Sequence, residues 1–171
     1  MLIAQITDTH IKLPGRLAYR QVDTAAMLRA CVSELMALDP KPDLIVHTGD
    51  LVDLGHDAEY AHLREILAPL GTEIIAVPGN HDERDAMRRA FPDRDYLPAG
   101  SFLHFAVQRG PLRIVGLDTV VPGQGGGELC ADRLAWIGAT LSAAPDVPPL
   151  ILMHHPPFLT GIAHIDRIGL I

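Results

Sequence analysis

The sequence predicts an α/β fold built on parallel strands, and three observations support that class. Short apolar segments alternate with longer segments of helical periodicity, which is the order of repeated strand–helix units. Most of the predicted strands are apolar throughout, as strands are when both faces of their sheet are covered. The chain has 171 residues, of which 48% are hydrophobic, and this is enough for one sizeable core. We therefore expect residues 1–171 to form a single domain.

The predicted strands and helices follow from these patterns. The strands are the apolar runs at 2–6, 43–48, 73–78, 102–108, 112–118 and 149–154. The run at 102–108 (FLHFAVQ) alternates most clearly and is expected at an edge or in an antiparallel position. The helices fill the intervals 22–40, 57–70, 83–91 and 130–144. Asp23 or Thr24 is expected to cap the first helix, and Pro40 to end it.

One glycine-rich segment, PGQGGGE at 122–128, belongs to neither type of element. Its glycines lack the spacing of nucleotide-binding loops. We interpret the segment as a flexible connection or, at most, a lid.

Four of the predicted strands are followed by side chains that bind metals. In an open α/β sheet, ligands bind beyond the carboxyl ends of the strands, so residues that follow parallel strands meet at one edge. The first strand is followed by DTH, the second by GD, the third by GNHD and the last by HH. We expect these motifs to lie together along one sheet edge. They contain Asp8, His10, Asp50, Asn80, His81, Asp82, His154 and His155.

The residue types indicate a metal site with nitrogen and oxygen ligands. Carboxylates, imidazoles and a side-chain amide suit Zn²⁺, Mn²⁺ or Fe rather than an ion held by thiolates. Alternation along an extended chain places Asp8 and His10 on the same side, where both could bind one ion. Asp50 and Asn80 each follow a glycine, which permits a tight turn. A carboxylate such as Asp50 can bridge two ions about 3.5–4 Å apart. Asp82 is interpreted as a turn or helix-cap residue.

The four motifs, in this order, resemble those of the calcineurin-like metallophosphoesterases. The GNHD and MHHPP segments are most similar to class III cyclic-nucleotide phosphodiesterases and the related bacterial glycerophosphodiesterases. The resemblance runs from residue 1 to about residue 170 and implies a four-layer α/β/β/α sandwich. It implies a hydrolase in which two divalent metal ions (Mn, Fe or Zn) and a metal-bound hydroxide cleave a small phosphodiester. Such a substrate would be a cyclic nucleotide or a glycerophosphodiester.

The same resemblance implies a role for each matching residue. The metal ligands would be Asp8 and His10 for the first ion, Asp50 as the bridge, and Asn80 and His154 for the second ion. His81 would stand beside the phosphate and act in catalysis, by stabilising charge or by protonating the leaving oxygen.

Further residues are candidates for substrate binding: His155, His56, His164 and Tyr19. His155 would either support the metal ligands or face the substrate, and His56 follows the bridging acid closely. His164 lies in a segment that resembles a substrate-pocket loop, and Tyr19 lies in the loop after the first metal motif, from which it could contact substrate. A solvated position is the alternative for both. Three histidines inside or beside predicted elements are interpreted as structural: His47, His62 and His104.

The resemblance is incomplete at the carboxyl end of the chain. The family pattern continues to a Gly-His-x-His motif that this sequence does not contain, and the chain ends on the apolar segment DRIGLI. The sequence is therefore expected to be an N-terminal portion of a longer enzyme. That portion would lack part of the second sheet, and each metal position would have fewer ligands.

Composition restricts the partners. Asp and Glu total 21 against 14 Lys and Arg, a net charge of −7, which argues against a nucleic-acid-binding surface. Two separated cysteines and the absence of a basic leader or a long apolar run favour a cytoplasmic protein without a membrane span. The expected partner is a small phosphodiester, and a homo-oligomer is possible.

Two alternative functions stay open at this point. The same scaffold could serve a phosphomonoesterase or a nuclease. The chain could also be a metal-poor binding or assembly module without catalysis. A panel of diester, monoester and nucleic-acid substrates distinguishes a diesterase from a phosphomonoesterase or a nuclease. The metal content distinguishes an enzyme from a metal-poor module.

Overall fold

The computed structural model describes residues 1–92, 94 and 96–170. The strands are β1 (Ile3–Ile6), β2 (Leu44–His47), β3 (Ile74–Ala76), β4 (Phe105–Arg109), β5 (Leu112–Gly116) and β6 (Pro149–Leu152). The helices are α1 (Thr24–Ala37), α2 (Asp57–Leu67), α3 (Arg84–Ala90), α4 (Ala131–Ser142) and α5 (Ala163–Asp166). A 3₁₀ turn, Ala68–Leu70, continues α2. Ile171, at the end of the apolar C-terminal segment, lies outside the described residues.

The first sheet is parallel, with β2 between β1 and β3. His47 at the end of β2 pairs with Ile6 of β1 and with Ala76 of β3, so the three strands end at the same level. All of β2 is buried, as its continuous apolar sequence predicts. The segments that follow these strands therefore begin side by side.

The second sheet joins β4, β5 and β6 in that order, with β4 antiparallel and β6 parallel to β5. The face of the first sheet that carries Leu44 and Val46 packs on Phe105 and Ile114 of the second sheet. The opposite face, which carries Ile45, packs on α1 and α2. The core thus has the order helix layer, sheet, sheet. This mixed α/β architecture with two sheets confirms the predicted fold class.

The prediction that all four motif-bearing strands share one sheet edge is wrong. β6, which precedes His154, lies in the second sheet, because it pairs with β5 rather than with β1 or β3. Its motif approaches the others from across the sheet-to-sheet interface. β6 also carries exposed residues and is an outer strand, so its apolar sequence does not reflect burial on both faces. The predicted edge and antiparallel position of 102–108 is confirmed by β4.

The predicted helices are present, with shorter ends. α1 begins after Asp23, whose side chain accepts a hydrogen bond of 2.9 Å from the backbone N–H of Ala26. It ends at Ala37, before Pro40. The segment around His164, expected as a loop, forms the short helix α5. Across the described residues, the helices are all too short or too polar to cross a membrane.

Candidate metal centre

The chain segments after β1 and β2 run side by side in a strained conformation. The backbone N–H of Asp8 donates to the Gly49 carbonyl and that of His10 to the Asp50 carbonyl, each at 3.0 Å. Asp8, His10 and Asp50 have positive φ angles of 53°, 41° and 52°. Such angles cost non-glycine residues about 1–3 kcal/mol each and persist where the surrounding structure imposes them, often at functional sites.

Asp50 occupies the centre of the site. Its Oδ2 atom lies 3.5 Å from Nε2 of His10 and 3.6 Å from Nε2 of His154. The Oδ1 atom accepts a hydrogen bond of 2.9 Å from the backbone N–H of His81. Only 4% of Asp50 is exposed. A single buried carboxylate oxygen therefore lies between histidines that come from two different sheets.

The orientation of His154 leaves its Nε2 lone pair facing oxygen atoms. Nδ1 of His154 lies 2.9 Å from the carbonyl oxygen of Thr48, and because a carbonyl only accepts, Nδ1 carries the proton. In the neutral ring, Nε2 is then unprotonated. It lies 3.3 Å from Oδ1 of Asn80, besides Asp50. Electron pairs that converge in this way repel one another unless a cation lies between them.

We name this group the strand-end cluster: Asp8, His10, Asp50, Asn80, His81 and His154. One ligand atom each from Asp8, His10 and Asp50 lie within 4.8 Å of one another. Ligands at about 2.0–2.2 Å from a divalent ion are separated by about 3–3.6 Å in tetrahedral geometry. The separations around Asp50 have this size, so the residues fit divalent ions with nitrogen and oxygen ligands.

Two glycines permit the close approach of these segments. Gly49 has a φ of 102°, and a β-carbon there would meet the His154 ring. A β-carbon at Gly79 would overlap the carboxylate and the backbone nitrogen of Asp50. The glycine before Asp50 thus supplies both a backbone angle and space for the His154 ring, and the glycine before Asn80 supplies space for Asp50.

The His81 ring has a fixed orientation. Its Nδ1 atom donates a hydrogen bond of 2.7 Å to the backbone carbonyl of Asp53, which leaves Nε2 as the other functional atom. The ring lies perpendicular to that of His10, with centroids 4.6 Å apart. His81 is half-buried, and so is in partial contact with solvent.

Asp53 is a site residue that the sequence analysis missed. Its Oδ1 atom lies 3.8 Å from Nδ1 of His10, and its side chain forms an ion pair with Lys12. His10, Asp53 and His81 form a second group with ligand atoms close enough for a metal ion. The available signal was the spacing in GDLVD, which places a second acid three residues after Asp50.

Asp82 is a turn residue, as predicted, but it does not cap α3, because the side chain of Glu83 does so. The buried Asp82 carboxylate accepts hydrogen bonds from the backbone of Leu51 and Gly79, at 3.1 and 2.9 Å, and from Tyr60, at 2.8 Å. Burial raises the pKa of Asp82 to about 6, although these hydrogen bonds oppose that rise. Asp82 therefore joins the loops that carry Asp50 and Asn80.

The predicted substrate residues lie in varied places. His155 is 2% exposed, and its Nδ1 atom lies 2.7 Å from Oγ1 of Thr119, so it does not face an open surface. Tyr19 is 81% exposed, and His56 and His164 are exposed as well. Within the described chain, none of these exposed three has a hydrogen bond or ion pair with the strand-end cluster. Their substrate contacts stay predictions.

A cavity of about 490 Å³ adjoins the cluster at Asn80 and His81. Leu54, Arg84 and Gly123 also line it. Arg84 is held by Asp118, so its guanidinium is already paired within the protein. The cavity is large enough for a small organic molecule beside His81.

Comparison with known proteins places these features in context. The profile of the family described as calcineurin-like phosphoesterase matches residues 1–167. A probable glycerophosphodiester phosphodiesterase of Arcobacter nitrofigilis is 38% identical over 97% of this chain and 61% of its own length. A cAMP/cGMP dual specificity phosphodiesterase of Mycobacterium tuberculosis is 36% identical over 91% of this chain and 50% of its own length.

Two further comparisons agree. A 3′,5′-cyclic adenosine monophosphate phosphodiesterase of Escherichia coli is 34% identical over 98% of this chain and 60% of its own length. The chain thus spans between half and about three fifths of the length of these relatives. Among solved structures, a purple acid phosphatase from yellow lupin seeds is similar in fold, with a TM-score of 0.58 and 13% identity. That similarity covers 90% of this chain and 30% of the plant protein.

Proposed function

We propose, because this chain belongs to the calcineurin-like phosphoesterase family, that its strand-end cluster holds two divalent metal ions for the hydrolysis of small phosphodiesters. The observation that carries the proposal is the position of Asp50. Its buried Oδ2 atom lies about equally far from a histidine on each side, at 3.5 and 3.6 Å. A carboxylate in that position is suited to bridge two ions.

The proposed ligands divide between the two ions as the family resemblance implies. They are Asp8 and His10 on one side, Asn80 and His154 on the other, and Asp50 between them. Two divalent ions, when bound, lower the pKa of a water molecule and neutralise charge on a phosphodiester. These ligands suit Mn, Fe and Zn, so the ion that is bound depends on metal availability as much as on the ligands.

His81 is proposed to act on the substrate through Nε2. Because Nδ1 is committed to the Asp53 carbonyl, the ring presents Nε2 in one direction. A protonated Nε2 can donate to a phosphoryl oxygen and stabilise its charge, or transfer its proton to the leaving oxygen. The cavity beside His81 would receive the alcohol portion of the substrate.

The substrate is proposed to be a small diester. Relatives named above are a glycerophosphodiester phosphodiesterase and cyclic-nucleotide phosphodiesterases. The net charge of −7 disfavours a long polyanion such as DNA. A cytoplasmic location and a homo-oligomeric assembly also stay proposals, and gel filtration at several concentrations tests the second.

Metal content and diester hydrolysis test this function together. The protein is equilibrated with Mn²⁺ or Zn²⁺, desalted and analysed for metal per chain. It is then assayed against a glycerophosphodiester, 3′,5′-cyclic AMP, a phosphomonoester and a DNA oligonucleotide. We expect two ions per chain and turnover of a diester. Retention of no metal, with no diester turnover, would favour the binding-module alternative.

A matched pair of variants assigns the metal to the cluster. Asp50→Asn removes the bridging charge, so we expect loss of at least one ion and of diester hydrolysis. Asp146→Asn makes the same chemical change at an exposed acid and should leave both unchanged. Equal metal content in Asp50→Asn and the unmodified protein would contradict the proposed site.

A further inference from the structure

His47 contacts the metal-binding turn from inside the protein. It is the last residue of β2, and its side chain is fully buried. Its Nε2 atom lies 3.0 Å from Oγ1 of Thr9, the residue between Asp8 and His10. None of the roles proposed so far uses His47 or Thr9.

The direction of the hydrogen bond between His47 and Thr9 follows from the second partner of the hydroxyl. Oγ1 of Thr9 donates a hydrogen bond of 2.8 Å to the backbone carbonyl of Leu51. Because a hydroxyl has one proton, its oxygen must accept in the contact with His47. The imidazole therefore carries its proton on Nε2. Its other nitrogen, Nδ1, is buried and has no partner among the described residues.

Apolar packing alone does not explain why a histidine occupies position 47. A buried nitrogen without a partner destabilises the folded state by about 1–3 kcal/mol, whereas an aliphatic side chain at this position would leave no such atom. The hydrogen bond to Thr9 is the one polar contact that the His47 side chain makes within the described residues. The use of a histidine here is therefore tied to Thr9.

Thr9 links the two ligands that flank it to the loop after β2. Asp8 and His10 both have positive φ, and a left-handed residue is held only when its surroundings over-determine it. The backbone N–H of Ile11 also donates to the Leu51 carbonyl, at 3.1 Å. The hydroxyl of Thr9 is thus fixed between His47 and Leu51, at the midpoint of the strained turn.

We propose that His47 is a positioning residue, which acts through the hydroxyl of Thr9 to hold Asp8 and His10 in the strained turn that directs both at one metal ion. The inference rests on the proposed function for the identity of the ligand. Partners that orient metal ligands in this way typically alter metal affinity by about 10–100-fold when they are removed.

Two variants remove the contact from opposite sides. Thr9→Val keeps the branched shape and deletes the hydroxyl, and His47→Leu deletes the donor. His47→Gln supplies an amide N–H that can donate to Thr9 and serves as the conservative replacement. A buried histidine outside the cluster provides the matched control, His104→Leu.

Mn²⁺ affinity of the metal-free protein is measured by titration calorimetry on chains whose folding is verified by thermal unfolding. We expect Thr9→Val and His47→Leu to weaken the affinity at least about 10-fold. His47→Gln should recover most of it, and His104→Leu should alter stability alone. Unchanged affinity in folded Thr9→Val overturns the proposal.

Amide hydrogen exchange gives a second reading without any metal. The backbone N–H groups of Asp8 and His10 are hydrogen-bonded to the neighbouring loop. If His47 holds the turn, these two groups exchange faster in Thr9→Val than in the parent chain, while those of α4 do not change. Protein that binds neither Mn²⁺ nor Zn²⁺ and hydrolyses no diester refutes the proposed function, yet this exchange comparison still decides whether Thr9 and His47 hold the turn.

Discussion

Gly79 lies directly against Asp50, the residue at the centre of the strand-end cluster. A β-carbon at position 79 would come within 3.0 Å of both the carboxylate and the backbone nitrogen of Asp50, a distance that real β-carbons essentially never show. The loop after β3 therefore packs on the loop after β2 with no space for a side chain. The position of the proposed bridging carboxylate depends on that glycine.

Gly79→Ala is expected to displace Asp50 and to weaken metal binding about 10-fold or more. Titration with Mn²⁺ measures the effect. Gly138→Ala is the control, because a β-carbon at this glycine of α4 would meet nothing within 4 Å. It should leave metal affinity unchanged and stabilise the helix by about 1 kcal/mol. Parent-like metal affinity in Gly79→Ala would show that Asp50 does not need this space.

A second glycine, Gly127, leaves the space that the His155 ring occupies. A β-carbon at Gly127 would overlap the His155 ring, which is hydrogen-bonded to Thr119. Gly127→Ala should push the ring from its place and lower the free energy of unfolding by about 1–3 kcal/mol. Urea denaturation measures this. Gly125→Ala in the same loop makes only an ordinary contact with Ile168 and should have little effect. Equal losses in the two variants would contradict the proposed overlap.

The buried ion pair of Arg84 and Asp118 supports the wall of the cavity beside His81. Asp118 is fully buried, and Arg84 binds it through Nε at 2.6 Å and through a terminal nitrogen at 2.9 Å. Arg84→Met leaves a buried carboxylate without its cation, so we expect the free energy of unfolding to fall by about 3–5 kcal/mol.

An exposed pair is the control for that measurement. Arg89 binds Asp57 at 2.9 Å, but both side chains are largely exposed. Arg89→Met should therefore leave the urea midpoint nearly unchanged. Adding Asp118→Asn to Arg84→Met should restore part of the loss, since it removes the unpaired charge. A double variant no more stable than Arg84→Met would argue against the charge as the cause.

The pH dependence of stability should include a contribution from His104. Burial lowers the pKa of His104 below 6.5, and the attraction of Asp118 opposes that shift only in part. The unfolded chain then binds more protons than the folded chain below pH about 6.5, so folding stability falls as the pH falls through that value. Urea unfolding at pH about 7.5 and about 5.5 measures the loss.

His104→Asn should reduce that loss while keeping an acceptor for the Asp118 backbone N–H, which now donates to Nδ1 of His104. The variant keeps the part of the low-pH loss of stability that is due to His47 and His155, because burial also lowers their pKa values, to about 3 and about 4. His164→Asn, at an exposed position, should leave the loss unchanged. The same loss in His104→Asn as in the parent chain would exclude His104 as a contributor.

Local pattern predicted the elements but not all of their partners. The apolar run before His154 reads as a buried strand, and β6 is indeed a strand. Its membership of the second sheet depends on backbone pairing with β5, a segment more than thirty residues earlier. Periodicity describes one strand at a time and has no information about which neighbour it pairs with.

Side-chain identity predicted which residues come together in the strand-end cluster, because carboxylates and imidazoles after strands are chemically distinctive. Asp53, whose side chain lies beside His10 next to this cluster, was missed because it comes three residues after Asp50 rather than directly after a strand. Its contact with His81 uses a backbone carbonyl, which every residue possesses.

His154 and His155 are adjacent in sequence, yet only His154 directs a ring nitrogen at Asp50, while the His155 ring packs against that of His154 with centroids 4.8 Å apart. Contacts with Gly127 and Thr119, which are both distant from His155 in the chain, fix the position of the His155 ring.

The sequence by itself determined where strands and helices form, which polar side chains follow the strands, and to which family the chain is similar. These properties are local, since hydrophobic periodicity and residue chemistry act within a few positions of the chain. Only the tertiary structure decided that residues from two sheets meet at Asp50, and that the Thr9 hydroxyl is hydrogen-bonded to His47. Those relationships arise from hydrogen bonds and close contacts between segments about forty to one hundred residues apart, which form only when the whole core packs.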